Sequence, residues 1–202
     1  MKIITISREF GSGGREIGKR LADVLNFQYY DREIELSIAK RMDMNTDYIA
    51  YSIENGLMNI PLHFGKTFTS SYLLKQQVDI LIEKQKVLRE IASTSNCVIV
   101  GRAADVILEE YHPFKIFVYA DMEYKIKRCQ GYAEVGENLT LREMEKAIRK
   151  IDTRRSQYHR RYLDIDWGKK EYYHLCINTT GLEIKKIVPY IAEYAKCWFE
   201  NC

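Results

Sequence analysis

A chain of 202 residues with 46% hydrophobic and 29% charged content buries one substantial core and is too short for two independent domains of ordinary size. Its formal charge of +3 suits an anionic ligand but falls well short of the strongly basic balance that marks a nucleic-acid binder. Five scattered cysteines without a C-x-x-C pair exclude a disulfide framework and a zinc site of ordinary spacing, and no run reaches the roughly 18 apolar residues of a membrane span, so a cytoplasmic protein with no membrane partner is expected.

The first element, "KIITIS" at residues 2–7, is a short β-branched strand. Glycines follow it, and then "REIGKRLADVLN", where Ile17, Leu21 and Leu25 recur at helical spacing. "FQYYD" at 27–31 is a weaker strand candidate. From about 45 to 71 the alternation breaks into a polar stretch holding one of the three prolines, a length more often functional than decorative. Leu74, Val78, Leu81, Leu88 and Ala92 then mark one long helix over 72–96. Strands are predicted at 97–101, 115–120 and 174–178, and a second break at 129–140 precedes a charged helix over about 141–163. Apolar strands alternating with helices predict an α/β domain whose parallel sheet is covered on both faces. Ligands of such sheets bind at the carboxyl ends of the strands, which here carry residues 7–14, 31–32, 101–105 and Asp121.

Between the first strand and helix, "SREFGSGGREIGKR" has the makings of a phosphate loop, since glycine lets backbone N–H groups and a helix N-terminus approach an anion. A literal match to G-x-x-x-x-G-K-[ST] uses Gly13, Gly18 and Lys19, but Arg20 follows and Gly18 already lies a turn inside the helix. A register that starts at Arg8, directly after the strand, makes Gly13 the second glycine and leaves Gly14 at the lysine position. Arg15 first and Arg8 second are the candidates to supply the missing cation; the alternative is a turn without a ligand. In "VIVGRAAD", Arg102 projects from the sheet edge where a guanidinium fork suits phosphate and Asp105 suits a base amino group, unless the two pair with each other or cap the next helix. In "IRKIDTRRSQYHRRY", Arg149, Asp152 and Arg155 share one helix face. That run reads as a solvated salt-bridged helix, an RNA-binding stripe, or a lid whose arginines stabilise a transferring phosphoryl group. The four histidines show no metal spacing and read as ordinary.

Taken in order, the glycine loop, "YYDREI", "LIEKQKVLRE", "VIVGRAADVIL", "KIFVYADMEYKIKR", "IRKIDTRR" and the tail "WGKKEYYHLCINTTGL" resemble the cytidylate kinase-like family of P-loop proteins over nearly the whole chain. The resemblance implies a P-loop NTPase fold, a three-layer α/β/α domain with a five-stranded parallel sheet. It also implies a monophosphate-binding insertion over about 32–71, a lid over about 129–155, and transfer of the γ-phosphoryl of ATP to CMP or dCMP with Mg²⁺. Small-molecule nucleotides are the implied partners, with no nucleic acid. The implied nucleotide site is Gly11, Ser12, Gly13, Gly14, Arg15 and Glu16. Asp31, Arg32, Arg102, Asp105, Arg128 and Asp152 would face the acceptor, and Arg8, Arg15, Arg149 and Arg155 would carry catalysis. The chain departs from the family where Gly14 and Glu16 replace Lys and Ser or Thr, Ala103 replaces Asp, and Ser37 replaces an arginine. Glu16 is then the candidate Mg²⁺ ligand. A nucleotide-binding module without catalysis and a kinase of another small metabolite stand as alternatives.

Overall fold

Runs of β-branched and aromatic residues build the sheet. In the computed structural model, which describes residues 1–55, 67–132 and 139–201, five strands pair in parallel. They are β1 (Ile3–Arg8), β2 (Gln28–Tyr30), β3 (Cys97–Val100), β4 (Phe114–Tyr119) and β5 (Leu175–Asn178), in the order β2-β3-β1-β4-β5. β1 is central, with Ile4 opposite Val98 on one side and Phe114 on the other. Residues Ile3 to Ser7 are all buried, as a strand covered on both faces requires.

The period of two along the strands divides the interior into two cores. Ile4, Ile6, Val98 and Val100 pack against Ile17 and Leu21 of α1 (Gly14–Leu25) and Val188 and Ile191 of α8 (Ile184–Asn201). Ile3, Cys97 and Ile99 face the other way, onto Ile34 and Ile38 of α2 (Glu33–Met42) and Ile80 and Leu88 of α4 (Thr67–Thr94). The expected three-layer α/β/α arrangement with a five-stranded parallel sheet is therefore present. No helix among the described residues is long and apolar enough to cross a membrane.

Strand bounds fall within one or two residues of the expectation, but the polar stretch after 45 begins as a helix, α3 (Thr46–Asn55). Asn45 starts it by accepting the N–H groups of Asp47 and Tyr48 at 2.8 and 3.2 Å. Ile49 and Ile53, four apart, then enter the second core. The central parts of the expected insertion and lid, 56–66 and 133–138, lie outside the described residues.

Two connections position the site. β1 leads leftward in the sheet to β2 and β3 leads rightward to β4, so their carboxyl ends flank the crevice where strand order reverses. After β3 comes the short helix α5 (Ala104–Ile107), and after β4 come α6 (Met122–Tyr132) and α7 (Leu141–Leu163). Thr140 and Glu143 form a reciprocal capping box that starts α7. Thr140→Ala is expected to lower stability by about 1 kcal/mol, the usual worth of an N-cap, as measured by urea denaturation.

Candidate functional site

The glycine loop has the geometry of an anion cradle. Gly11 and Gly13 take φ of 76° and 86°, a region closed to most side chains. A Cβ on Gly11 would also lie 2.9 Å from the Lys125 carbonyl oxygen. Between them Ser12 is fully buried. Its hydroxyl donates to the Glu9 carbonyl at 2.9 Å, and its own carbonyl accepts the Thr179 hydroxyl at 2.7 Å. With that carbonyl turned inward, the first N–H groups of α1, which have no intrahelical partner and no side-chain cap, define the open face of the loop.

Helices α6 and α7 grip the loop from outside. The Phe10 N–H donates to Asp152 Oδ1 at 2.7 Å, and Arg155 Nη1 donates to the Arg8 carbonyl at 2.9 Å. Lys125, buried on α6, donates to both Glu9 (3.0 Å) and Asp152 (3.2 Å). Burial raises the Asp152 carboxyl pKa, while the Phe10 N–H and the Lys125 charge oppose that rise.

A cluster of cations fills the crevice. Asp31, at the end of β2, meets Arg15 Nε at 2.5 Å, Arg102 Nη2 at 3.4 Å and Arg8 Nη2 at 4.0 Å. Arg102 also forms a close ion pair with Glu35. The loop that presents Arg102 is strained, because Arg102 and Ala103 both adopt left-handed φ, 61° and 57°. Arg8 reaches the crevice by passing over two glycines. A Cβ on Gly14 would stand 2.6 Å from the Arg8 Cβ, and one on Gly101 would collide with the guanidinium. Burial, then the neighbouring Arg155 and Arg102 charges, weaken the hold of Arg8 on its proton, and Asp31 opposes them. A guanidinium nonetheless stays charged at neutral pH. The crevice encloses about 70 Å³, walled by Arg8, Lys84, Arg102, Arg155, Tyr158 and His159.

The structure thus brings together Arg8, Gly11, Ser12, Gly13, Gly14, Arg15, Asp31, Arg102, Asp152 and Arg155. Other candidates lie apart. Glu16 pairs with Arg20 at 2.8 Å, and Arg149 pairs with Glu145 while 64% exposed. Arg32 is exposed at the N-cap of α2. Arg128 donates to the hydroxyl and carbonyl of Thr179 at 3.1 and 2.7 Å and so braces the loop. Asp105 lies beneath the crevice, accepting the Ser7 hydroxyl at 3.1 Å with its other oxygen 4.0 Å from His159 Nε2. Arg102 bonds to Asp31 and Glu35 and not to Asp105, so the pairing weighed for "GRAAD" is replaced by one across the sheet.

Sequence reading missed Lys84, Lys125, Glu35 and Thr179; it set Tyr158 only on a second face of the charged helix, with Arg154 and Arg161, and passed over His159. Lys84 did carry a signal: it lies four residues from both Ile80 and Leu88, on the buried stripe of its helix. Among the described residues no group of three acidic, His or Cys side chains is arranged to hold a metal. Glu16 and Asp31 are already bonded to arginines, so the described side chains do not form a Mg²⁺ cage.

The sequence pattern of the cytidylate kinase-like family matches residues 3–181. A cytidylate kinase of Saccharolobus islandicus is 22% identical over 98% of this chain and 93% of its own, and one of Borreliella burgdorferi is 27% identical over 74% and 79%. Among solved structures, an uncharacterized protein from Eubacterium ventriosum superposes with a TM-score of 0.71 at 25% identity, covering 97% of this chain and 99% of that one. A shikimate kinase from Bacteroides thetaiotaomicron shares the fold, with a TM-score of 0.59 at 14% identity over 96% and 98%.

The contact between Arg8 and Gly14 makes the two positions interdependent. Gly14→Lys alone is expected to destabilise the protein by about 1–3 kcal/mol through overpacking, and by clearly less in an Arg8→Gly background. Urea denaturation of the four proteins of that cycle checks it; additive effects would show that Arg8 does not fill the space a lysine needs.

Proposed function

The chain belongs to the cytidylate kinase-like family, and from that premise we propose that it is a phosphotransferase moving the γ-phosphoryl group of ATP to a small anionic acceptor, with CMP or dCMP as the leading acceptor. The observation that carries this reading is the exchange at the glycine loop: where the family has a lysine there is Gly14, and the space beside it holds the Arg8 side chain, whose guanidinium enters the crevice. Phosphoryl transfer asks the protein mainly for positioning and for positive charge beside the transferring group. The α1 N–H groups would hold the donor phosphates. Arg8 would stand in for the lysine, ahead of Arg15, because Arg8 is only 13% exposed in its side chain and Arg15 is 57% exposed. Arg102 and Arg155, fixed by Asp31 and Asp152, would face the acceptor side.

Mg²⁺, when bound, neutralises charge on the ATP phosphates. In this reading it arrives with the nucleotide, since the described side chains do not form a cage for it. An acceptor other than a nucleotide, a small hydroxylated metabolite, is the second reading, and the compact crevice between Arg8, Lys84 and Arg155 accommodates it as well. The shikimate kinase of the same fold is named for such an acceptor. A cytoplasmic setting follows from the ATP donor.

Incubation with ATP, Mg²⁺ and a panel of monophosphates and hydroxylated metabolites is expected to yield ADP. Arg8→Ala should lower kcat by about 10²-fold, the scale of one lost oxyanion donor, and Arg15→Ala should lower it less. Lys19→Ala should leave kcat near that of the parent. No ADP above background, with nucleotide binding retained in calorimetry, would establish a binding module in place of an enzyme; equal losses from Arg8→Ala and Lys19→Ala would refute the register.

A further inference from the structure

Lys84 breaks the pattern of its helix. On α4 its neighbours at the same face, Ile80 and Leu88, are fully buried, and Lys84 itself is 1% exposed where a leucine or methionine would satisfy the apolar stripe. Among the described residues it makes no ion pair within 4 Å. Its ammonium donates to the Tyr158 hydroxyl of α7 at 2.7 Å and stands 4.8 Å from the centre of that ring. Burying an ammonium without a paired carboxylate costs several kcal/mol, so the position is not explained by stability. Two more polar atoms, Arg102 Nε and His159 Nε2, are buried without a hydrogen-bond partner, and both residues line the same crevice as Lys84. Arg8, Arg154 and Arg155 complete its positive walls.

Resting on the kinase reading above, we propose that Lys84 is a contact for the phosphomonoester dianion of the acceptor, and that it takes up a proton when that dianion enters. The geometry supports a dianion over a single carboxylate. Asp31 and Glu35 are already bonded to arginines, so among the described residues the buried charge of Lys84 meets no carboxylate within 4 Å, and Arg154 adds a second positive charge to the same crevice. Burial, with the Arg102 charge behind it, lowers the Lys84 ammonium to about 7, and Glu35 opposes the shift. A dianion in the crevice reverses that balance and restores the proton. Tyr158 suits both states. Burial pushes its hydroxyl up to about 12, so it keeps its proton and either accepts from the ammonium or donates to the neutral amine.

Sulfate is a probe that stays dianionic throughout and transfers nothing. Titrated calorimetrically into the intact protein at about pH 8, in buffers of different ionisation enthalpy, it should bind with net proton uptake. Lys84→Met should abolish the uptake and weaken sulfate by about tenfold or more, the scale of a hydrogen bond to a charged group. His159→Gln should keep the uptake, which separates Lys84 from the imidazole in the same wall. CMP should displace sulfate. Uptake that survives in Lys84→Met, sulfate affinity unchanged by that substitution, no sulfate binding to the parent, or displacement by glycerate and not by CMP would each overturn the proposal. Sulfate-linked uptake without any ADP production would instead refute the kinase reading and leave the anion site standing.

Thermal unfolding provides the folding control. The folded state holds the Lys84 proton less tightly than the unfolded chain, so the parent loses stability below the unfolded pKa, fully so below about pH 7. Lys84→Met should therefore melt higher than the parent at about pH 6, with the advantage shrinking as pH rises through 7 toward the ordinary lysine range. Lys84→Gln, a polar alternative, should show the same loss of uptake.

Discussion

Three guanidinium groups from three different parts of the chain converge on the carboxylate of Asp31, and the arrangement of the crevice depends on that convergence. Arg8 ends β1, Arg15 opens α1 and Arg102 follows β3. Like charges at such distances repel, and one carboxylate cannot neutralise three of them. Glu35 offsets part of the excess through Arg102. What is left is a preorganised positive field in a confined space, already oriented before any ligand arrives. That is the condition under which electrostatic stabilisation of a transferring phosphoryl group is most effective, because no dipole has to turn during the reaction.

A second set of contacts ties this field to the part of the fold that follows β4. Lys125 bonds Glu9 of the glycine loop and Asp152 of α7 at once, while Phe10 and Arg8 offer their backbone groups to Asp152 and Arg155. The loop is thus held by side chains on its outer side, so its N–H face needs no internal partner. The same contacts couple α7 to the loop. Any displacement of α7 would part Asp152 from Lys125 and from the Phe10 N–H, and Arg155 from the Arg8 carbonyl, all at once, so the helix and loop behave as one cooperative unit.

How much of this could be read from sequence follows from the range of the interactions. β1, the loop and α1 are local, and Gly11 and Gly13 announce their left-handed backbone in the residue type itself. Arg8, Asp31 and Arg102 fall at one sheet edge because parallel strands bring their carboxyl ends together. Spacing groups Arg149 with Asp152 and Arg155, but Arg149 stays on the solvent side, paired with Glu145. Lys125 was not legible: "EYKIKR" contains two lysines with nothing local to show which of them will meet Glu9, 116 residues earlier. Lys84 was legible as an anomaly in an apolar stripe, while its partner Tyr158, 74 residues away, was not. α3 escaped because its helical signal rests on two isoleucines and one asparagine inside a polar stretch.

On the proposed reading, the exchange of Arg8 and Gly14 would do more than restore a lost charge. A lysine at the start of α1 is a flexible point charge that must be drawn toward the phosphates, whereas an arginine at the end of β1 is anchored in the centre of the sheet and presents a rigid planar fork. Its path is set by backbone as well as by side chains, since both Gly14 and Gly101 must lack a Cβ for it to pass. On that reading the positive charge would move from the helix to the strand, and from the loop toward the crevice between β1 and β3. There it stands beside Arg102 and Lys84, on the side where an acceptor would enter. A single cation placed between the two ends of a transfer can contact the donor's terminal phosphate and the incoming anion together, which is the part the proposed reading gives to Arg8.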